Sequence, residues 1–196
     1  MESFEELLEI STRIHGHVCP GQVLGVRLSM LGLKEIGLDD PKGKDRKELY
    51  VIVEIDRCAT DAIQSVTGCS IGKRTLYWQD NGIMAATFVH LGSGEAVRIV
   101  ALEESRELSK KYCDHILDKH QRQLEAYKIM PEHELFRVER VVVDIPKENL
   151  PGKPMRRVQC QLCGDWVQDS RDVVLEGKIA CRNCTGNGYF RKIISN

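Results

Sequence analysis

The chain of 196 residues contains no apolar run near the ~20 residues that a membrane span requires. It also has no surplus of charge of either sign. With 28 Lys and Arg against 29 Asp and Glu, no global field draws nucleic acid or a membrane surface, so any partner must be argued locally. The opening Met1-Glu2-Ser3-Phe4-Glu5-Glu6 lacks the basic n-region of a secretory signal, and the expected compartment is the cytoplasm. Internal repeats and low-complexity tracts are absent as well. What is present is 42% hydrophobic and 29% charged residues, the balance of a soluble globular protein, in a length that suits one substantial domain plus a small one. Eight cysteines are also present. Four of them form two C-x-x-C pairs, and the chain is neither short nor loop-dominated, so reduced thiols and metal are expected rather than a disulfide framework.

The richest stretch is His15-Gly16-His17-Val18-Cys19-Pro20-Gly21, three ligand-type side chains on alternate residues. Pro20 suits the first position of a helix and disfavours helical dihedrals at Cys19, which places Cys19 at the N-cap. Unpaired amides and the positive end of the helix dipole there favour thiolate, the form that attacks electrophiles or binds metal. If residues 15–19 are extended, all three side chains point to one side, with Gly16 allowing a bend. A buried cysteine beside a helix-capping histidine is the alternative.

Around this stretch, Ser3 and Glu6 form a capping box for a helix over about residues 4–14. From Pro20 to Ile36 apolar residues surround most of a second helix, with Gly37 as its stop; Gly21, Gly25 and Gly32 suit close packing in a core or at a subunit contact. Leu49–Asp56 reads as an interior strand, and a short helix from Thr60 to Gly68 is bracketed by Cys58 and Cys69. Cys58, Asp61, Cys69 and Lys73 make a second cluster of chemistry. Gly68–Arg74 is not a P-loop: three residues separate its glycines where four are needed, and Arg74 replaces the magnesium-binding Ser or Thr. A strand over residues 75–78, a hairpin of 83–91 and 95–101, and a Val-rich strand over 136–145 complete a mixed or antiparallel sheet. Residues 103–129 read as one helix of about 39 Å, longer than a small core needs, and hence a dimer arm carrying Cys113, His115 and His120 in structural or solvated roles.

The three prolines between 146 and 154 mark a linker, so the expected organisation is an α+β core over 1–146, a linker over 147–154 and a four-cysteine module over 155–196. Cys160-x-x-Cys163 and Cys181-x-x-Cys184 are separated by 17 residues. Two such knuckles complete a tetrahedral thiolate site for structural zinc in a zinc-ribbon, treble-clef-like fold. Trp166, Val167, Val174, Leu175 and Ile179 supply the small apolar core that the metal completes.

Taken together, His15-Gly-His-Val-Cys-Pro-Gly21 with Gly25 and Arg27, Cys58-Ala-Thr-Asp-Ala-Ile-Gln64 and Thr67-Gly-Cys-Ser-Ile-Gly-Lys73 resemble the E-subunit family of formylmethanofuran dehydrogenase over about residues 4–145, and the ribbon is similar to an extension some members carry. The resemblance implies a dimeric α+β core with His17, Cys19, Cys58, Asp61, Cys69 and Lys73, and His15 beside them, facing one pocket. It also implies association with subunits of a molybdenum or tungsten redox enzyme. The chain has no cysteine series fit for iron–sulfur clusters, so that reaction is not expected of this polypeptide alone. Three functions stay open. A core site of His17, Cys19 and Cys58 holds a second transition metal and serves a redox enzyme. Alternatively, the ribbon is an adaptor for protein or nucleic acid, although eight Lys or Arg against four Asp or Glu from Pro151 to Asn196, with Trp166, Tyr189 and Phe190, make a mild surface for that purpose. The third is thiol–disulfide exchange between Cys19 and Cys58 or Cys69.

Overall fold

A computed structural model describes residues 2–186, 188–191 and 193, and it divides into two compact units, Met1–Asp144 and Ile145–Asn196. In the first unit, α1 (Phe4–His15) begins at the Ser3/Glu6 capping box and ends at Gly16, which takes the left-handed conformation (φ 94°). The second helix, α2 (Pro20–Glu35), follows after a short turn, with Cys19 extended at its N-cap and Gly37 in positive φ beyond its end. Eleven of its 16 residues are buried, as expected of a helix apolar on every side.

The glycines of α2 explain how it is held. A Cβ on Gly25 would lie 2.6 Å from the Ala59 carbonyl oxygen, and one on Gly32 would enter the Phe88 ring. α3 (Cys58–Thr67) therefore packs backbone to backbone against α2 at Gly25, and the sheet meets the same face of α2 two turns further on, at Gly32. Both close approaches are made inside the chain, which is the core-packing alternative for these two glycines. A buried polar bridge adds to this contact: Ser11 donates to the Gln22 side chain, and Gln22 Nε2 donates to the Cys58 carbonyl at 2.5 Å, tying the first three helices together.

The sheet contains β1 (Leu49–Val53), β2 (Leu76–Trp78), β3 (Ala85–His90), β4 (Ala96–Ala101) and β5 (Phe136–Arg140) in the order β2-β1-β3-β4-β5. Only β1 and β2 are parallel. Register sets Val51, Phe88 and Val97 in one row, and Gly32 of α2 rests on Phe88. The other face carries Arg98 between Thr87 and Glu139. Arg98 Nε donates to Glu54 Oε1 at 2.6 Å, and Nη1 donates to Glu139 at 2.9 Å. The buried Glu54 carboxyl is consequently held below its ordinary pKa, chiefly by Arg98.

Three expected boundaries move. The strand beginning at Leu49 ends at Val53, the last core strand ends at Arg140, and α3 begins at Cys58 with Arg57 as N-cap, because Thr60 Oγ1 donates to the Ile55 carbonyl instead of capping. The long helix does not exist. It is two helices, α4 (Ser105–Tyr112) and α5 (Lys119–Ile129), separated where Cys113 leaves helical dihedrals and Asp118 accepts from the Gln121 amide as a new N-cap. α5 packs against α2, and Arg27 of α2 donates to the Tyr127 and Met130 carbonyls at its C-terminal end. The expected dimer arm is thus folded into the core. A short turn, α6 (Glu132–Leu135), leads into β5. Among the described residues no helix is long and apolar enough to cross a membrane.

The second unit is built from two hairpins, β6 (Arg157–Gln159) with β7 (Trp166–Gln168) and β8 (Val173–Leu175) with β9 (Lys178–Ala180), followed by a short 3₁₀ turn over Arg182–Thr185. Few of its described side chains are buried; Cys160 and Ala180 are the apolar ones.

Candidate metal centres and the adjoining cavity

In the second unit, each C-x-x-C pair begins directly after a strand. Cys160 and Cys163 occupy the turn between β6 and β7, closed by the Gly164 amide donating to the Cys160 carbonyl. Cys181 and Cys184 follow β9, where the Cys184 amide donates to the Cys181 carbonyl. One sulfur from each of the four lies within 4.8 Å of the others. The Cys163–Cys181 separation is 3.8 Å, matching the edge of about 3.8 Å that a tetrahedral site with ~2.3 Å metal–sulfur bonds requires. The Cys181 amide donates to Cys160 Sγ and brings that thiol down to about 6, whereas the neighbouring Cys181 sulfur pushes Cys184 up. Four sulfurs this close suit a cation that lets all of them ionise. The four-cysteine cluster can hold a metal ion.

The core cluster arises differently from the extended strand expected. His15 is the last residue of α1, Gly16 turns the chain in left-handed geometry, and Cys19 is already the cap of α2. That tight turn brings the His15 and His17 rings to 4.7 Å between centroids. Donor atoms of His15, His17 and Cys19 lie within 4.8 Å of one another. A shared ion needs separations of about 3.4–3.7 Å, a closure of roughly 1 Å that side-chain rotation supplies. His15 Nδ1 bonds Asp61 Oδ2 at 2.7 Å from α3, and His15 Nε2 is buried with no partner among the described residues. A carboxylate behind one nitrogen and an unsatisfied second nitrogen grouped with another imidazole and a thiol is the arrangement of a metal-binding histidine.

Cys58, the first residue of α3, stands beside Cys19 but outside that donor set. A Cβ on Gly21 would lie 3.0 Å from Cys58 Cβ and 3.7 Å from Cys19 Sγ. Cys19 makes no capping hydrogen bond. Burial pushes its thiol up, with Cys58 adding to the rise, and this outweighs the lowering by the Gln22 and Gly21 amides. The helix-terminus effect expected from the sequence is therefore present but overridden by burial.

His17, Cys19 and Cys58 line a cavity of about 280 Å³ whose far wall comes from α4 and α5, including Arg106, His120 and Gln123. Cys69 and Lys73 do not reach it. Both follow the other end of α3: Cys69 is buried with its thiol toward the Leu49 carbonyl and its pKa raised by burial, and Lys73 Nζ caps the Gly68 carbonyl at 2.9 Å. Asp61 contributes through His15 rather than by lining the cavity. His120 and Gln123 are cavity residues that sequence reasoning misses. On one continuous helix they fall among solvated residues, although His120, Gln123 and Tyr127 share an i, i+3, i+7 face that the sequence displays.

A sequence model described as FmdE, molybdenum formylmethanofuran dehydrogenase operon, matches residues 14–149. The chain belongs to this family. The FmdE match begins one residue before the core histidine cluster and takes in every element of the first unit from α2 onward. A curated relative, the "Probable S-adenosyl-L-methionine-binding protein" of Archaeoglobus fulgidus, is 30% identical over 203 residues, which cover 93% of this chain and 53% of the relative. The chain spans about half the length of that relative. Among solved structures, an FmdE-like protein of the tungsten formylmethanofuran dehydrogenase type from Syntrophus aciditrophicus superposes with a TM-score of 0.64 at 22% identity, over 97% of this chain and 96% of that one. That likeness bears on the fold, a mixed α+β core.

Proposed function

We propose that this FmdE-family chain is a cytoplasmic two-site metalloprotein that serves a redox enzyme. The four-cysteine cluster holds zinc as a structural element, and the core site holds a catalytic or transferable transition metal through His15, His17 and Cys19. The observation that carries the core site is the buried, unpartnered Nε2 of His15, a residue held by Asp61 and grouped with His17 and Cys19. Three protein ligands leave a position open, unlike the closed four-sulfur site, and imidazole with thiolate accommodates zinc, iron, nickel or copper. S-adenosyl-L-methionine, named for the relative, is no part of this reading, since the relative is about twice as long and the match covers 53% of it.

A second reading draws on the contact between Cys19 and Cys58, which suits a reversible dithiol. Metal analysis of anaerobically purified full-length protein separates the two. Two equivalents per chain, falling to one in Cys19→Ser, support the core site. One equivalent in the wild type, together with a Cys19–Cys58 disulfide formed on mild oxidation, replaces it with the dithiol.

A further inference from the structure

Gln123 on α5 is 6% exposed, and its Nε2 finds no acceptor among the described residues. A buried amide donor left unmade costs about 1–3 kcal/mol, and native structures rarely keep one without a reason. Gln123 lines the same cavity as His17, Cys19 and Cys58, to which Leu24 and Met84 add apolar surface. An acceptor supplied from outside the protein would complete it.

Charge narrows the choice of ligand. Arg106 in the cavity wall is already paired with Glu103, at 2.6 Å, so that pair contributes little net charge. On the core-metal reading above, a divalent ion bound by one thiolate and two neutral imidazoles carries one net positive charge on the cavity side, because the Asp61 carboxylate stands behind His15, half exposed and outside the cavity lining. A ligand with a single negative charge balances it, and a carboxylate offers two acceptor oxygens, one for Gln123 and one for the positive side of the cavity. At about 280 Å³ the space is at the small end of the ~300–1,000 Å³ typical of small-molecule sites, and its Leu24 and Met84 surface suits a short aliphatic chain.

We propose that this cavity binds a short-chain aliphatic monocarboxylate, and that Gln123 is the residue that recognises its carboxylate. The ligand lies beside His17 and Cys19, which makes the first unit a binding domain for a small acid and not solely a metal carrier.

The test is a titration of butyrate into ¹⁵N-labelled, zinc-loaded full-length protein, with butan-1-ol as the uncharged control of similar shape. Butyrate should produce a saturable shift of the Gln123 side-chain amide, identified by its loss in Gln123→Leu, and butan-1-ol should not. Gln123→Leu should weaken binding at least tenfold, read from backbone amides around Leu24 and Ala101. Met84→Trp, which fills the cavity while leaving Gln123 in the sequence, should block it in a protein whose remaining spectrum is unchanged. No saturable shift in protein carrying two zinc equivalents, or undiminished affinity in Gln123→Leu, overturns the proposal and leaves the metal reading intact. Protein that takes up one zinc overturns the core-metal reading instead, and the Gln123 shift in that same sample still decides for or against the cavity.

Discussion

Replacing Asp61 by Asn should weaken metal binding at the core site about tenfold. The carboxylate receives His15 Nδ1 at 2.7 Å, which leaves Nε2 as the lone-pair nitrogen, and Nε2 is the atom that is buried and unpartnered. Asn keeps the shape of the contact but removes the negative charge behind the ring, and its amide can present N–H to Nδ1 and favour the wrong tautomer. Losing such an outer partner costs roughly 10–100-fold in metal affinity, or about 1.4–2.7 kcal/mol. The Asp61 side chain is 47% exposed, so solvent screening places the effect near the lower bound. Asp61→Ala should lose at least as much. The assay is anaerobic competition of cobalt(II) against a chromophoric chelator, with thiolate-to-cobalt absorption as the reporter. Cys19→Ser protein, retaining only the ribbon ion, supplies the background to subtract. Affinities of Asp61→Asn and Asp61→Ala within twofold of the wild type would refute the carboxylate–histidine–metal arrangement, even if the core binds cobalt.

Two other perturbations address the scaffold. Cys163→Ser should expose residues 155–196 to protease while the first unit keeps its cooperative unfolding, because little else is buried in the ribbon; a C-terminal segment still protected after the substitution, or after complete chelation of the wild type, would contradict the structural role. Arg98→Met leaves Glu54 buried without its partner and should cost about 2–4 kcal/mol at pH 7, somewhat under the ~3–5 kcal/mol of a fully buried pair because Arg98 is 22% exposed. Its pH dependence follows from the depressed carboxyl. Since the folded pKa of Glu54 lies below the unfolded value near 4.5, the pair's contribution is complete above that value and disappears as pH falls through the folded one. In the variant, burial without Arg98 raises the folded pKa, so the stability gap from wild type should narrow between pH 7 and pH 4. Urea unfolding that shows a constant gap over this range would rule out the pair as its source.

The broken helix over 103–129 shows how far pattern alone carries. Leu108, Tyr112, Ile116, Leu117, Leu124 and Tyr127 have spacings that a single helix tolerates, yet Leu117 is 92% exposed and Asp118 starts a new helix. An Asp before Lys119-His120-Gln121 is a legible cap, but the continuous apolar pattern outweighs it in the sequence. Helix propensity there is similar with or without the break, so the packing of α4 and α5 in the core decides between them. The same holds for the glycines of α2, whose composition signals close approach but not which surface approaches.

What the sequence determined by itself acts over a turn or two of chain. The Ser3/Glu6 capping box, Cys19 before Pro20, the left-handed Gly16 and Gly68 and the C-x-x-C spacing of the ribbon depend on near neighbours, and each is written where it acts. Tertiary structure alone decided which residues share a site. Asp61 reaches His15 across 46 positions, Gln22 reaches Cys58 across 36, and Arg27 anchors the end of α5 at Tyr127 across 100. Those pairings exist because Gly25 lets α2 and α3 meet at their backbones and because α5 folds back over α2, carrying Gln123 to the cavity beside Cys19. Cys69 and Lys73 lie in the same local motif region as Cys58, yet α3 separates them from it: its 10 helical residues span about 15 Å, too far for one pocket to use both ends.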